Sequence, residues 1–484
     1  MTEFPLGARP GTKIEFIAER QPGVLPSFAE IVAVPFEHDW GPIDTPILCG
    51  SFPEFVQNFG DGATPGRDAV AMAFNGQQFL GAAGAGAVLA YRMAVTSGGT
   101  QAVAATVALQ NTTPATALTL TAEHKGAYGN RLSVVVRDNP ANVAQDIFEI
   151  RVDGLVRERY IYANTDINGL RDQINAVSRY VTAVANVNGV ALAVTAGTAL
   201  ANGVNGVPLT ATEWNRMLGN IENQRFAILA PYDVTDAGIQ ASILATVRVM
   251  ADAGNPIMAL LGGGVGDTVT AAIARAATMN DPHVIMLGHG VYRDTVLAKD
   301  LTTSQLVPKV AGVLAARGEQ RALTFAKLGS LVVAAGSAAP EHDEIIAAIE
   351  GGVTVLSRAT SADAELKIER GMTTFTTKND PARAFKVFSD PRLVRIMDNF
   401  QRGMQEWGDD LVVGETAVND NSRAAVRGEA TRRMTDLEDR GLIVPGTGFV
   451  SVQEDPLIPD AIPFEFGWVF AHTTNYIRGR GRVR

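Results

Sequence analysis

The strongest hydrophobic pattern in the chain is at its C-terminal end. Ile462, Phe464, Phe466, Trp468 and Phe470 fall on alternate positions, with Pro463, Glu465 and Gly467 between them. A period of two places the aromatic set on one face of a strand. Continued in register, that face also carries Arg478, Arg480, Arg482 and Arg484. A shorter alternation lies near the other end, where Ile14, Phe16 and Ala18 alternate with Lys13, Glu15 and Glu19, between Gly11 and Pro22-Gly23. A single strand fenced by breakers needs a sheet to join. On pattern alone each strand can pair within its own chain or with a neighbour.

Between these ends the periodicity changes several times. Residues 31–97 read as strand Ile31–Pro35, a short helix Pro53–Phe59 ending at Gly60, a helix Arg67–Leu80 and strand Val88–Val95. From 98 to 207 Ala, Thr, Val, Asn and Gly dominate. Short runs at Ala117–Ala122, Leu132–Arg137, Ile147–Val152, Arg159–Ala163, Tyr180–Val187 and Val190–Ala196 predict strands, with one helix near Gly169–Val177. From Leu209 to Ile368 strand and helix alternate. The strands are Phe226–Leu229, Ile257–Leu261, Val284–Leu287, Leu331–Ala334 and Val353–Leu356. One helix between them carries Ile239, Ile243, Val247 and Met250, and a second runs Thr268–Met279. A third is capped by Thr302 or Thr303 and carries Leu306, Val310, Val313 and Leu314; the fourth is Glu341–Glu350. Such alternation predicts a sheet flanked by helices. Further on, Asp390-Pro391 opens a helix with Leu393, Ile396, Met397, Phe400, Met404 and Trp407 on one face, and Ser422–Arg440 is a charged helix.

The expected organisation is a multidomain α/β and α+β fold. It has an extended N-terminal arm (1–30), an α/β domain begun in 31–97 and completed in 208–369, and a β-rich insertion (98–207). A mixed C-terminal domain (370–460) and a C-terminal strand and arm (461–484) follow.

Composition narrows the class. The 484 residues are 46% hydrophobic and 19% charged, so large cores can form without staples. The one cysteine, Cys49, follows Ile47-Leu48 as a buried small hydrophobe would; it allows no internal disulfide and suits a reducing cytoplasm. The opening MTEFPLGARPG lacks the apolar core of a secretory signal. The apolar runs Pro256–Gly264 and Leu331–Ala339 fall well short of the ~20 residues of a membrane span. The expectation is a soluble protein made inside a cell, with no membrane insertion. A net charge of −10 argues against nucleic acid, and the closing RGRGRVR has no interleaved aromatics. An acidic body with a basic tip can instead attract other copies of itself.

Catalytic constellations are scarce. Gly262-Gly263-Gly264-Val265-Gly266 sits between a strand and a helix, but the third glycine of a G-x-G-x-x-G motif counted from Gly262 would be Asp267. It reads as a tight turn. No P-loop lysine and no G-x-S-x-G elbow occur. His38, His124, His283, His289, His342 and His472 form no ligand pair, and His283 and His289 flank one strand. Asp409-Asp410 and Glu341/Asp343/Glu344 read as solvated acids or a helix N-terminus. No enzyme activity, cofactor or metal is expected.

Four segments, in order along the chain, resemble the tail sheath family of contractile bacteriophages. The first is Gln21-Pro22-Gly23-Val24, then Ile31-Val32-Ala33-Val34, Trp40-Gly41-Pro42 and the stretch from Phe52 to Phe59-Gly60. The second is AEHKGAYGNRLSV, Ala122 to Val134. The third is Pro308-Lys309-Val310-Ala311-Gly312-Val313-Leu314-Ala315. The fourth runs from Gly351-Gly352-Val353-Thr354-Val355-Leu356 through Ile368-Glu369-Arg370-Gly371-Met372-Thr373-Thr374. Two departures bear on the subfamily. Val24-Leu25 stands where the family often has Val-Tyr, and Arg370 is followed by Gly371-Met372.

The resemblance implies a structural subunit that polymerises as stacked hexameric rings around an inner tail tube and contracts to drive the tube through a host envelope. It implies a place in the virion tail, assembled in the host cytoplasm. The implied partners are other copies of the chain, the tube protein, and baseplate and tail terminator proteins. It also implies that Ile14, Phe16 and Ala18, and Phe464, Phe466, Trp468, Phe470, Arg478, Arg480 and Arg482, lie on arms that add strands to neighbouring subunits. The C-terminal region forms the family's inner layer, which makes Arg427, Arg432 and Arg433 candidates for touching the tube. Three other readings compete: the sheath of a bacteriocin or extracellular injection particle, a nucleotide-binding α/β enzyme, and a secreted surface-layer or adhesin protein. The opening residues argue against the last.

Overall fold

A computed structural model describes residues 31–75, 84–335, 337, 340–358, 366–376, 388–412, 417–453 and 462–471. The chain enters with β1 (Ile31–Glu37), β2 (Pro46–Cys49), α1 (Phe52–Phe59), α2 (Pro65–Phe74) and β3 (Ala87–Met93). Both helices start where side chains satisfy free N–H groups. The Ser51 hydroxyl accepts from the Glu54 N–H and Thr64 from Arg67, each with a proline in the first turn. The end of the expected helix Arg67–Leu80 lies outside the described residues.

The next stretch is almost all antiparallel. It holds β4 (Ala102–Val103), β5 (Thr106–Gln110), β6 (Thr116–Ala122), β7 (Leu132–Asp138), β8 (Gln145–Val152), β9 (Leu155–Ala163), α3 (Ile167–Val177), β10 (Val181–Ala185), β11 (Thr195–Ala199) and β12 (Val204–Asn205). They form a three-stranded sheet β10-β6-β5, a four-stranded sheet β11-β7-β8-β9 and the pair β12-β4. Leu118, Leu120, Val134, Val136, Phe148 and Ile150 share one core with Ile167, Leu170 and Ile174 of α3. In the segment Ala122 to Val134, Gly126 has φ +139°, and a Cβ there would overlap the Asp39 carbonyl. Asn130 exchanges two hydrogen bonds, of 2.9 and 2.8 Å, with the backbone of Gly203.

The parallel part follows: α4 (Ala211–Ile221), β13 (Ile228–Leu229), α5 (Ala237–Asp252), β14 (Met258–Leu261), α6 (Val269–Met279), β15 (Val284–Leu287), β16 (Val291–Asp294), β17 (Lys299–Thr302), α7 (Thr303–Arg317), β18 (Lys327–Leu328), β19 (Leu331–Val333), α8 (His342–Glu350), β20 (Val353–Thr354), β21 (Leu356–Arg358) and β22 (Leu366–Ile368). A seven-stranded sheet runs β2-β3-β1-β13-β14-β15-β20, parallel throughout except for the edge strand β2. Alternate residues face opposite ways. Val32, Val34, Phe36, Met258 and Leu260 pack with α1, α2 and α7, whereas Ile31, Ala33, Ala259 and Leu261 pack with α4, α5 and α6. The strand expected at Leu331–Ala334 forms as β19, but in a separate antiparallel sheet β17-β16-β19.

Helix α7 explains part of the third resemblance segment. Gly312 lies against α2 so closely that a Cβ would overlap the Ala73 carbonyl. Pro308 sits inside the helix and has no N–H for the Ser304 carbonyl. That carbonyl accepts from the Asp233 N–H instead, at 3.2 Å.

The remaining elements are α9 (Pro391–Leu411), α10 (Asp420–Asp439), β23 (Phe449–Val452) and β24 (Phe464–Gly467). Leu393, Ile396, Phe400 and Met404 of α9 join Val426, Ala430, Met434 and Leu437 of α10, with Leu442, Ile443 and Phe470, in a further core. Asp409-Asp410 falls in the exposed last turn of α9, the opposite end from a helix N-terminus; full solvation screens the unfavourable dipole there. Glu341, Asp343 and Glu344 do open α8.

Candidate functional site

Helix α9 has two working faces. Leu393, Ile396, Phe400 and Met404 point into the C-terminal core, as the helical spacing predicts. The other face is built from arginines that sequence reasoning passed over. Arg392 donates to the Glu319 and Ala471 carbonyls, each at 2.9 Å. Arg395 donates to the Leu314 and Gly318 carbonyls at the end of α7, at 2.8 and 2.9 Å, and Arg402 donates to Pro256. Cations on a helix C-terminus meet its partial negative charge. A signal was present in the sequence: Arg392, Arg395 and Arg402 lie close together around the helix, offset from the apolar stripe.

Asp398 completes this seam with an ion pair to His283, 3.0 Å from carboxylate oxygen to Nε2. Asp281 flanks the same ring at 3.6 Å. Burial works against a charge on His283, but hydrogen bonds to Asp281 and Asp398 outweigh it and raise the pKa to about 10. The histidine is therefore a charged structural link between the sheet and α9. Among the described residues no group of three His, Cys, Asp or Glu could hold a metal ion.

The aromatic alternation near the C-terminus forms a shorter strand than expected. β24 pairs antiparallel with β23 of its own chain, Phe464 opposite Val452 and Phe466 opposite Val450. Ile443 and Phe470 make an isolated bridge beyond it. Phe464, Phe466 and Trp468 stack in series, with centroids 5.6 and 5.4 Å apart, and Phe400 of α9 reaches Phe466 at 4.7 Å. Between α9 and the hairpin lies an apolar groove of about 610 Å³, lined by Met397, Phe400, Met404, Phe464, Phe466 and Trp468 among others. Among the described strands β23 is the sole partner of β24. Phe466 remains 38% exposed.

The other candidate residues are distributed as follows. Ile14, Phe16 and Ala18, and Arg478, Arg480 and Arg482, lie outside the described residues. Arg427 and Arg432 are on the exposed face of α10 and Arg433 is half-buried. Arg432 and Arg433 both bind Glu429, at 2.6 and 2.7 Å.

The glycine-rich turn after β14 uses its N–H groups internally. The Gly263 N–H donates to the Thr303 hydroxyl at 2.9 Å and the Gly264 N–H to Asp267 at 2.8 Å. A side chain on Gly262 would overlap the start of α7. This is the tight turn expected, spent on packing. Cys49 is fully buried, which pushes its thiol up to about 12. No helix among the described residues is long and apolar enough to cross a membrane.

No protein-family profile matches the chain. A tail sheath protein of Staphylococcus phage Twort is 25% identical over 193 residues, 39% of this chain and 31% of that protein. The crystal structure of a sheath tail protein from Desulfitobacterium hafniense superposes with a TM-score of 0.70 at 22% identity, covering 96% of this chain and all of the other. The chain is thus similar to phage tail sheath proteins, in sequence over part of its length and in fold over nearly all of it. The stretch matched to the Twort protein spans about a third of that relative's length. The contracted helical sheath of the anti-feeding prophage also has this fold, with a TM-score of 0.53 at 12% identity over 99% of both chains.

Proposed function

We propose that this protein is the structural subunit of a contractile phage tail sheath. The observation that carries the reading is the end-to-end likeness of fold to a sheath tail protein, 96% of this chain on 100% of that one, together with phage relatives of the same description. The subunits stack as hexameric rings around the inner tube, bind a baseplate at one end and a terminator at the other, and contract to drive the tube through a host envelope. The protein works as a component of the virion tail, assembled in the host cytoplasm. Its role is mechanical, with no chemical step.

The groove beside β24 supports assembly by strand addition. An edge strand with one partner offers a row of backbone donors and acceptors, and aromatic pockets beside it read the alternate side chains of an incoming strand. The arm carrying Ile14, Phe16 and Ala18 supplies such a strand to a neighbour, and the residues around Phe464, Phe466, Trp468 and Phe470, with Arg478, Arg480 and Arg482 beyond, link subunits on the other side. Links of this head-to-tail kind build open helices. Arg427, Arg432 and Arg433 face the tube.

The test is negative-stain microscopy of the purified full chain beside a variant lacking residues 1–20. Long hollow polymers with regular striation are expected from the full chain and none from the variant. A full chain that stays monomeric with and without its tube removes the reading. Normal polymers from the variant remove the role of the N-terminal arm alone. The fold likeness to the anti-feeding prophage sheath favours one second reading, a related injection particle with the same mechanics.

A further inference from the structure

The four-stranded sheet β11-β7-β8-β9 turns one face to the core and the other outward. The outward face carries three cross-strand rows. Val135, Glu149 and Arg159 form the central row; Arg137, Ile147 and Ile161 lie on one side of it, and Ser133, Arg151 and Val156 on the other. Glu149 stands at the centre and is 1% exposed. Arg137, Arg151 and Arg159, from three adjacent strands, all bind it, at 3.0, 2.6 and 3.0 Å. Burial alone would raise the Glu149 pKa, but Arg151 and Arg137 outweigh it and lower it to about 2. The carboxylate therefore stays ionised and holds three guanidinium groups in one cluster.

Three cations answer one anion, so two positive charges are left on this face. The chain as a whole is at −10, so the rest of it carries a formal excess of negative charge. The face is also partly apolar. Val135 and Ile147 are buried on the outward side, while Val156 and Ile161 are 44% and 50% exposed. Arginine clustered among aliphatic side chains is the composition of a protein interface. A single-strand nucleic-acid surface would interleave aromatics, and none occurs in the three rows. Two such faces would repel each other, so a symmetric two-fold contact through them is disfavoured. The complement must be a different, acidic surface, and a heterologous contact between identical chains propagates into an open array.

We propose that the outward face of this sheet docks on an acidic surface of a second copy of the chain. This rests on the polymerising role given above and adds an electrostatic contact far along the chain from the arms. Glu149 organises the contact; Arg137, Arg151 and Arg159 present it.

The test follows self-association of the full chain by sedimentation and negative stain, at about 50 mM and about 500 mM salt, where screening separates exposed charges. The variants are the double change Arg151→Glu/Arg159→Glu and the single change Arg159→Gln. The single change removes a side chain that is 54% exposed, and it guards against a folding defect in the double one. At low salt the double variant should raise the critical concentration by about tenfold or more, with a smaller rise for Arg159→Gln. High salt should bring the wild type close to the variants. Polymers whose critical concentration is unchanged in both variants overturn the docking face and leave the sheath reading intact. A wild-type chain that self-associates at neither salt overturns both. Unchanged self-association with lost retention on immobilised polyphosphate overturns the second-copy partner in favour of a polyanion.

Discussion

At the scale of single residues, one buried charge can be tested cleanly. Lys309 in α7 is 2% exposed and Asp294 in β16 is 1% exposed. The ammonium donates to Asp294 at 2.9 Å and to the Ser330 hydroxyl at 2.7 Å. Asp294 also accepts from the N–H groups of Val296 and Leu297, so the pair fixes the turn between β16 and β17. Burial lowers the Lys309 pKa, and Asp294 opposes that shift. Removing one partner strands the other's charge in the core. Lys309→Ala should therefore cost about 3–5 kcal/mol, and Lys309→Met combined with Asp294→Asn much less. Chemical unfolding of the unassembled chain measures both. A Lys309→Ala chain within about 1 kcal/mol of the wild type would show that the pair holds nothing in place.

At the scale of elements, α9 joins the parallel part through arginine and Asp398–His283 contacts as well as the buried Val394, and the C-terminal hairpin through apolar contacts, so pH should act on the first joint. The His283 pKa is raised from its ordinary value of 6.5 to about 10. A raised value means that the stabilisation is complete below about 6.5 and is lost as pH climbs from there through about 10. Asp281 is held below the usual carboxylate range, burial being outweighed by hydrogen bonds from His283 and Arg248, so its contribution is lost in acid. The unfolding midpoint should fall between about pH 7 and about pH 10, and His283→Gln should flatten that fall. An equal slope in both proteins would place the titration elsewhere.

The same helix marks how far the sequence could be read. Its apolar stripe, the cap at Thr302, the stop at Gly60 and most β-runs between Ala117 and Ala185 are local signals, and they fold as their spacing predicts. What was not legible depends on partners distant in the chain. The run Leu331–Val333 looks the same whether it joins the large sheet or β16, and only the fold decides. Arg392 and Arg395 bond to carbonyls 73 and 81 positions earlier and Arg402 to one 146 positions earlier, and a carbonyl leaves no mark in a sequence. The period-two pattern at the C-terminus revealed a strand with an aromatic face. It could not reveal that Phe449–Val452 would take one edge of it.

At the scale of the whole molecule, function depends on how an acidic body presents its few basic surfaces. One is the outward sheet face around Glu149; α10 is not basic as a whole, since Asp420, Glu429, Asp436, Glu438 and Asp439 offset Arg423, Arg427, Arg432 and Arg433, but it exposes individual arginines. Of its four arginines, Arg423 pairs with Asp420, Arg432 and Arg433 bind Glu429, and Arg427 lies outside that cluster. The helix packs Val426, Ala430, Met434 and Leu437 inward, so the exposed Arg427 and Arg432 can meet a partner without unfolding. If that partner is the tube, Arg427→Glu combined with Arg432→Glu should weaken sheath–tube association by roughly tenfold at low salt and far less at high salt. Both side chains are exposed, so sheath polymers should still form. Cosedimentation of preformed tubes with the variant and the wild type reads the difference. Arg432→Gln controls for the repulsion that a glutamate at 432 would meet from Glu429 one turn away. Equal cosedimentation of variant and wild type would make this side of α10 an ordinary solvated face, and would turn the search for the tube contact to the aromatic groove beside β24.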